Sequence, residues 1–106
     1  LNTYKDGKGN DTEVCAVLWS PVTKIGLSMY TNEPGVQVYT GNFQGTGVSC
    51  KHGIKYPKHV SVCLESQKYP DSPNKPNWPS PYLKPGKKYY SHVAYRFWTG
   101  DFGIDK

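Results

Sequence analysis

The sequence has no long apolar run and only one arginine. Hydrophobic residues make up 36% of the 106 residues and the mean hydropathy is −0.69. No stretch therefore predicts a transmembrane segment, and we expect no membrane partner. The net charge of +5 comes from scattered lysines, since Arg96 is the single arginine. Nucleic-acid sites usually concentrate basic residues on one face, so a solvated basic surface is favoured and no nucleic-acid partner is expected.

Cysteine is also scarce. Cys15, Cys50 and Cys63 are an odd number, which does not support a closed disulfide framework. Cys15 and Cys63 lie in apolar strand patterns, as small buried hydrophobic residues do. Cys50 and His52 resemble half of a metal site, but no second ligand pair follows at zinc spacing, so no metal is expected.

The first residues contain little that predicts a strand. The stretch LNTYKDGKGNDTE is polar and contains glycine, which is typical of a loop over residues 1–12. Neither a leader peptide nor an initiating methionine is present, so we expect a mature fragment or a piece of a longer protein. A cytoplasmic location is expected, with secretion as the alternative. Asn10 begins a glycosylation sequon that would matter only after secretion.

The sequence does contain five short runs of β-branched and aromatic residues, separated by turn residues. Helical periodicity is nearly absent, so these runs predict strands at 13–20, 24–31, 35–42, 58–67 and 88–98. The residues SPVT predict a turn that joins the first two strands into a hairpin. The expected fold is all-β, an antiparallel β-sandwich in a single domain.

A proline-rich loop over residues 69–87 separates the last two predicted strands. It holds six of the nine prolines, and those from Pro70 to Pro79 recur every third residue, the period of polyproline II. Such a ladder can serve as an SH3-type ligand. The alternative, which we favour, is a stiff loop packed on the domain through four apolar anchors: Tyr69, Trp78, Tyr82 and Leu83. The tail over residues 99–106 carries no recognisable pattern.

Candidate site residues come from side-chain alternation in two of the predicted strands. In an extended VSVCLESQ, alternate side chains face opposite ways, which assigns Val60, Val62 and Leu64 to a core. Glu65 then lies on the other, small and polar face. In GVQVYT, the same rule directs Gln37 outward. Both residues are suited to a ligand with hydroxyl groups, although an outward carboxylate on an antiparallel strand often only faces water.

Three segments resemble one known family. PGVQVYTGNF (34–43), YPKHVSVCLESQKYPDSPNKPNWPS (56–80) and LKPGKKYYSHVAYRF (83–97) are similar to the C-terminal third of the galactose mutarotase, or aldose 1-epimerase, family. The likeness runs from about residue 13 to residue 97. It implies a large β-sandwich with a concave sugar-binding face, of which residues 1–106 would be the C-terminal part.

The resemblance also implies roles for the two candidate residues. Glu65 stands where the family has the base that takes a proton from the anomeric hydroxyl, and Gln37 stands where the family contacts sugar hydroxyls. The family's acid histidine lies upstream of the matched region, and His52, His59 and His92 match no motif for it.

The resemblance therefore predicts an aldose 1-epimerase that interconverts the α and β anomers of hexoses such as galactose and glucose by acid–base ring opening, which implies that no cofactor or metal is required. We expect activity only when a second chain or an N-terminal fragment completes the domain. The alternative is a mutarotase-like carbohydrate-binding protein without catalysis.

Overall fold

The computed structural model describes residues 9–45 and 47–103, and these residues form five β-strands. The strands are β1 (Ala16–Trp19), β2 (Ile25–Thr31), β3 (Gly35–Tyr39), β4 (Cys63–Gln67) and β5 (Val93–Thr99). Two 3-10 turns, Lys51–Gly53 and Ser72–Asn74, are the only helical pieces in this part of the chain, and none of its helices is long and apolar enough to cross a membrane. The predicted all-β fold is confirmed.

The first sheet has the order β1-β2-β5, with β2 in the centre. Both pairings are antiparallel: Ala16 lies opposite Met29 in the β1–β2 hairpin, and Thr31 lies opposite Val93 in the β2–β5 pair. The predicted turn closes the hairpin through a hydrogen bond from the Lys24 N–H to the Ser20 carbonyl, 2.9 Å. Antiparallel strands of this kind agree with part of a β-sandwich.

The centre of this sheet is built around one tryptophan. Gly26 and Trp98 are direct partners across β2 and β5, and a Cβ on Gly26 would lie 2.3 Å from the indole ring. The indole Nε1–H donates a 2.9 Å hydrogen bond to Ser28 Oγ. Gly26 and Ser28 are therefore small because Trp98 lies beside them, while Met29 is fully buried.

The second sheet consists of β3 and β4. The described chain divides into two units: residues 9–35 with 66–103, and residues 36–65 without residue 46. In the second unit β4 begins later than predicted, because residues 58–60 form a turn and a bend in which His59 has a φ of +61° and residues 61–62 have no regular structure. Val60 and Val62 are 47% and 37% exposed, so their predicted place in a core is wrong.

The proline-rich loop contains a short helical turn in place of a continuous polyproline II segment. Residues Ser72–Asn74 form a 3-10 turn that follows Asp71, whose φ is +65°. A continuous polyproline II segment is therefore absent from this described loop. The Tyr69 and Trp78 rings meet edge to face at 5.7 Å within the loop, and Trp78 is 43% exposed, so the anchoring of this tryptophan to the domain stays a prediction. Tyr82 and Leu83 are exposed, so their predicted anchoring is wrong.

The start of the tail, which carries no recognisable sequence pattern, packs on the β1–β2 hairpin. Trp19 Nε1–H donates to the Gly100 carbonyl at 3.0 Å, and the rings of Trp19 and Phe102 lie 5.7 Å apart. Lys24 Nζ lies 3.1 Å from Asp101 Oδ1. Residues 100–102 are therefore attached to the first sheet. Residues 104–106 of the predicted tail, and residues 1–8 of the predicted loop, lie outside the described residues.

Candidate functional site

The two predicted site residues lie in the middle of the two strands of one sheet. Gln37 is the third residue of β3 and Glu65 is the third residue of β4. Both are exposed. Gln37 Nε2 donates a long 3.4 Å hydrogen bond to the Val38 carbonyl. Within residues 9–45 and 47–103 the Glu65 carboxylate has no hydrogen bond or ion pair, so both of its oxygens are accessible to a ligand.

The segments next to this strand pair are fixed to each other by polar contacts. The His59 N–H donates to the Gly41 carbonyl at 3.1 Å, and His59 Nδ1 lies 2.8 Å from the Thr40 carbonyl. Since a carbonyl can only accept, Nδ1 carries the hydrogen. Ser61 Oγ donates to Gln44 Oε1 at 3.1 Å. These contacts hold residues 40–44 against residues 59–61.

The three histidines are not brought to Glu65 by any contact in the described chain. His52 is exposed in the Lys51–Gly53 turn. His59 is bound to the Thr40 carbonyl, as described above. His92 Nδ1 lies 3.5 Å from Asp11 Oδ2, and the His92 N–H donates to Asn32 Oδ1. No described histidine therefore forms a hydrogen bond or ion pair with Glu65.

Glu33 forms a buried polar cluster that sequence reasoning missed. Its carboxylate is almost completely buried and lies 2.6 Å from Lys68 Nζ, while the Tyr89 hydroxyl donates to the other oxygen at 2.6 Å. Burial alone would raise the pKa of Glu33, but the hydrogen bonds from Lys68, Tyr89 and Ser91 and the Lys68 charge together lower this pKa. Glu33 is therefore a paired carboxylate, which does not suit it to act as a general base.

The local sequence carries no signal for this cluster. Glu33 lies in the turn residues NEPG, which alternation does not cover, and its two partners are 35 and 56 residues away along the chain. A pocket of about 190 Å³ opens beside the cluster. It is lined by one aliphatic side chain and otherwise by polar or aromatic ones: Leu83, and Asn32, Glu33, Lys68, Lys88, Tyr89 and Tyr90.

A second pocket, of about 390 Å³, lies along the first sheet and is mainly apolar. Its walls come from β1, β2, β5 and the hairpin turn: Leu18, Trp19, Ser20, Thr23, Ile25, Gly26, Leu27 and Phe97. Two of these side chains, Ile25 and Phe97, are 52% and 71% exposed. This sheet face therefore presents large apolar groups that no described residue covers.

The cysteines do not suggest a metal centre or a disulfide. All three are free; Cys15 and Cys63 are half-buried, and Cys50 is exposed. Cys15 Sγ donates to the Met29 carbonyl at 3.2 Å, and burial raises the pKa of this thiol. Among the residues with described positions, no group of three or more His, Cys, Asp or Glu side chains could hold a metal ion.

The fold and the site define an all-β protein with antiparallel strands and a carboxylate and an amide exposed on one strand pair. The family model described as aldose 1-epimerase matches residues 2–96. The chain belongs to the aldose 1-epimerase family.

Individual relatives agree with this assignment. A galactose mutarotase from Mus musculus is 46% identical over 90 residues, which are 85% of this chain and 26% of the mouse protein. The galactose mutarotase of Homo sapiens is 45% identical over 83 residues, 78% of this chain and 24% of the human protein. The aldose 1-epimerase of Escherichia coli K12 is 41% identical over 92 residues, 85% of this chain and 26% of the bacterial protein. The chain thus spans about a quarter of the length of these curated relatives.

Proposed function

We propose that this chain is the part of an aldose 1-epimerase that supplies the catalytic base, Glu65, and a sugar-binding amide, Gln37. One observation supports this most strongly: the two residues singled out by the family motifs are both exposed, each at the centre of a strand of one sheet. The proposed substrate class is hexoses such as galactose and glucose; the relatives' names mention galactose and aldoses.

The reaction requires two proton transfers that balance each other. Glu65 takes the proton from the anomeric hydroxyl while an acid gives a proton to the ring oxygen. The bond from C1 to the ring oxygen breaks and the C1 carbonyl forms. After rotation about the C1–C2 bond, the C5 hydroxyl attacks the other carbonyl face and both protons return. Acid–base catalysis of this kind contributes about 10²–10⁴-fold for each catalyst.

We propose that the acid comes from the remainder of the family domain. A histidine suits this role, because its ordinary pKa lies near neutrality. The exposed apolar pocket over β1, β2 and β5 supports a contact between this chain and that remainder, since large uncovered apolar patches usually mark a contact surface. The remainder of the domain, as a second chain or an N-terminal fragment, would cover this face.

The direct test is anomer exchange by the complete domain, meaning this chain together with that remainder. Polarimetry or NMR would follow freshly dissolved α-galactose. We expect Glu65→Gln to lower kcat by about 10²-fold or more, because the amide cannot accept the proton. Glu13→Gln, at an exposed glutamate outside the described strands, is the matched control and should leave exchange unchanged. Unchanged exchange in Glu65→Gln would exclude Glu65 as the base.

The same experiment separates the second candidate, a carbohydrate-binding protein without catalysis. This candidate is favoured by the absence of a histidine contact to Glu65 in the described residues. It predicts that the complete domain binds galactose, measured by NMR line broadening, but exchanges its anomers no faster than buffer.

The need for a completing part has its own test. We expect the 106-residue chain alone to self-associate, because unpaired strand edges and exposed apolar side chains favour aggregation. Sedimentation or light scattering would measure this. A monomeric chain that unfolds cooperatively would contradict it.

A further inference from the structure

We propose that Glu33, Lys68 and Tyr89 form a positioning cluster that holds the entry to β3 beside the exit from β4, and so sets the place of Gln37 relative to Glu65. This proposal depends on the function proposed above. It concerns residues that lie outside both strands.

The cluster sits where the two strands meet. Glu33 precedes the first residue of β3 by two positions, and Lys68 directly follows the last residue of β4. The 2.6 Å contact between Lys68 Nζ and Glu33 Oε2 therefore joins the end of one strand to the start of the other. Gln37 is four residues after Glu33, and Glu65 is three residues before Lys68. Both site residues are therefore within four residues of the contact along the chain.

Backbone packing at the start of β3 and the end of β4 supports this positioning role. Gly35, the first residue of β3, is buried, and a Cβ there would lie 3.1 Å from the Tyr69 ring and 3.3 Å from the Gln67 carbonyl oxygen. The glycine allows the start of β3 to contact the end of β4 directly. A strand that slips by one residue directs all its side chains to the opposite face. Register at this point therefore decides whether Gln37 and Glu65 can act on one ligand.

Glu33 is held from three segments of the chain, two through its carboxylate and one through its backbone N–H. Lys68 holds one oxygen and the Tyr89 hydroxyl, from the segment before β5, holds the other. The Glu33 N–H donates to Thr31 Oγ1 at 3.1 Å, and that hydroxyl donates to the His92 carbonyl at 2.8 Å. Glu33 is therefore connected to β2, to the residue after β4 and to the segment that leads into β5.

The charges of the cluster indicate how to test it. Removing one partner of a buried ion pair leaves the other charge without compensation, whereas replacing both is often close to neutral. Lys68→Gln should therefore disturb the strand ends, because the buried Glu33 carboxylate loses its cation. The double variant Glu33→Gln, Lys68→Gln should restore a contact between two neutral side chains.

The experiment measures kcat and KM for anomer exchange of galactose in the complete domain. A misplacement of about 1 Å can cost about 10²-fold in rate, so we expect Lys68→Gln to lower kcat/KM by about tenfold, and the double variant to regain most of the loss. Lys75→Gln is the matched control: Lys75 forms a 3.6 Å ion pair with Asp71 in the same loop, but both side chains are about half exposed. We expect no change in this variant.

Hydrogen exchange of the β3 and β4 amides gives a second readout that does not depend on activity. We expect faster exchange in Lys68→Gln than in the wild type and in Lys75→Gln, with recovery in the double variant. If Lys68→Gln does not fold, Tyr89→Phe removes a single hydroxyl, and we expect about a two- to threefold loss of kcat/KM, on the order of one lost hydrogen bond.

The outcomes separate this proposal from the proposed function. If Glu65→Gln loses exchange activity while Lys68→Gln and Tyr89→Phe keep wild-type kcat and KM, the function stands and the positioning role is wrong. A lower melting temperature in Lys68→Gln without any kinetic change would show a purely structural cluster and would also overturn it. If the wild-type domain shows no anomer exchange, the hydrogen-exchange measurement decides alone. Unchanged hydrogen exchange of the β3 and β4 amides in Lys68→Gln would then overturn the positioning role.

Discussion

The two units of the chain differ in how much side chain they bury. In the unit of residues 9–35 and 66–103, Ser28, Met29 and Thr31 of the central strand β2 are each 0% exposed. In the unit of residues 36–65, the only buried residue with a described position is Gly41, which has no side chain. Large side chains there are open to solvent: Phe43 is 83% exposed. The unit that carries Gln37 and Glu65 therefore has the smaller core.

The two units are therefore stabilised by different kinds of contact. Burial of Met29 and the contacts of Trp98 stabilise β2 from both sides within the chain itself. Residues 36–65 depend instead on polar contacts such as those of His59 and Ser61. Regions with few buried apolar contacts open locally at a lower free energy than a packed core. Under the proposal above, the strands that carry Gln37 and Glu65 therefore rely on supports at their ends.

The largest expected effect tests the packed unit. Met29→Ala removes the one fully buried hydrophobic side chain among the described residues. We expect it to lower the free energy of unfolding of the complete domain by about 2–5 kcal/mol, because a cavity replaces the lost contacts. Denaturant titration followed by fluorescence measures this.

The matched comparison for this prediction is Phe43→Ala in the other unit. We expect a change within about 0.5 kcal/mol, because most of the ring already faces solvent. If both substitutions lower the free energy of unfolding equally, Phe43 is buried against another part of the complete domain. The difference in side-chain burial between the two units would then hold only for this chain by itself.

A smaller loss is expected from a methyl group at Gly26. Its Cβ would overlap the Trp98 ring, so Gly26→Ala must displace the indole from Ser28. Overpacking of this kind costs about 1–3 kcal/mol. The control is the same substitution in a Trp98→Leu background, where the overlap is relieved and the added cost should be lower. An equal cost in both backgrounds would show that Trp98 is not what keeps position 26 small.

The sequence predicted the strands well because their information is local. Five runs of β-branched and aromatic residues become five strands, and the motif residues Gln37 and Glu65 lie within two of them. The predicted ends were less accurate. Residues 58–62 have the composition of a strand, but the left-handed backbone at His59 ends the alternation before Val60. No local rule predicts that conformation at a histidine.

The polar cluster could not be predicted for a different reason. Glu33 looks like an ordinary turn residue, since surface carboxylates are common in turns. Its burial depends on Lys68 and Tyr89, which approach only when β3, β4 and the segment before β5 have assembled. Information of this kind resides in tertiary contacts, so periodicity and turn chemistry are insufficient.

The next prediction concerns the pH dependence of this cluster. Burial tends to raise the pKa of Glu33, but Lys68, Tyr89 and Ser91 hold this pKa below its ordinary value. A carboxyl with a lower pKa in the folded state stabilises the fold above its unfolded pKa, which is about 4.3. This contribution is lost as the pH falls from there through the folded pKa.

We therefore expect the melting temperature of the complete domain to fall in that acidic range by more in the wild type than in the double variant Glu33→Gln, Lys68→Gln. Thermal unfolding followed by circular dichroism at several pH values measures this. If the melting temperatures of the two proteins fall in parallel with pH, Glu33 has the same pKa in the folded and unfolded states.

The smallest effect is expected from an ion pair on the surface of the packed unit. Lys24 Nζ and Asp101 Oδ1 lie 3.1 Å apart, but their side chains are 50% and 88% exposed, against 30% and 2% for Lys68 and Glu33. Exposed pairs contribute about 0–1 kcal/mol, because water screens the charges and ordering two side chains costs entropy. We expect Asp101→Asn to change the free energy of unfolding by less than about 0.5 kcal/mol, with Trp19 still holding the Gly100 carbonyl. Denaturant titration at low and high salt measures this. A loss of unfolding free energy as large as that of Gly26→Ala would mean that the ion pair, rather than the Trp19 contacts, attaches the tail to the sheet.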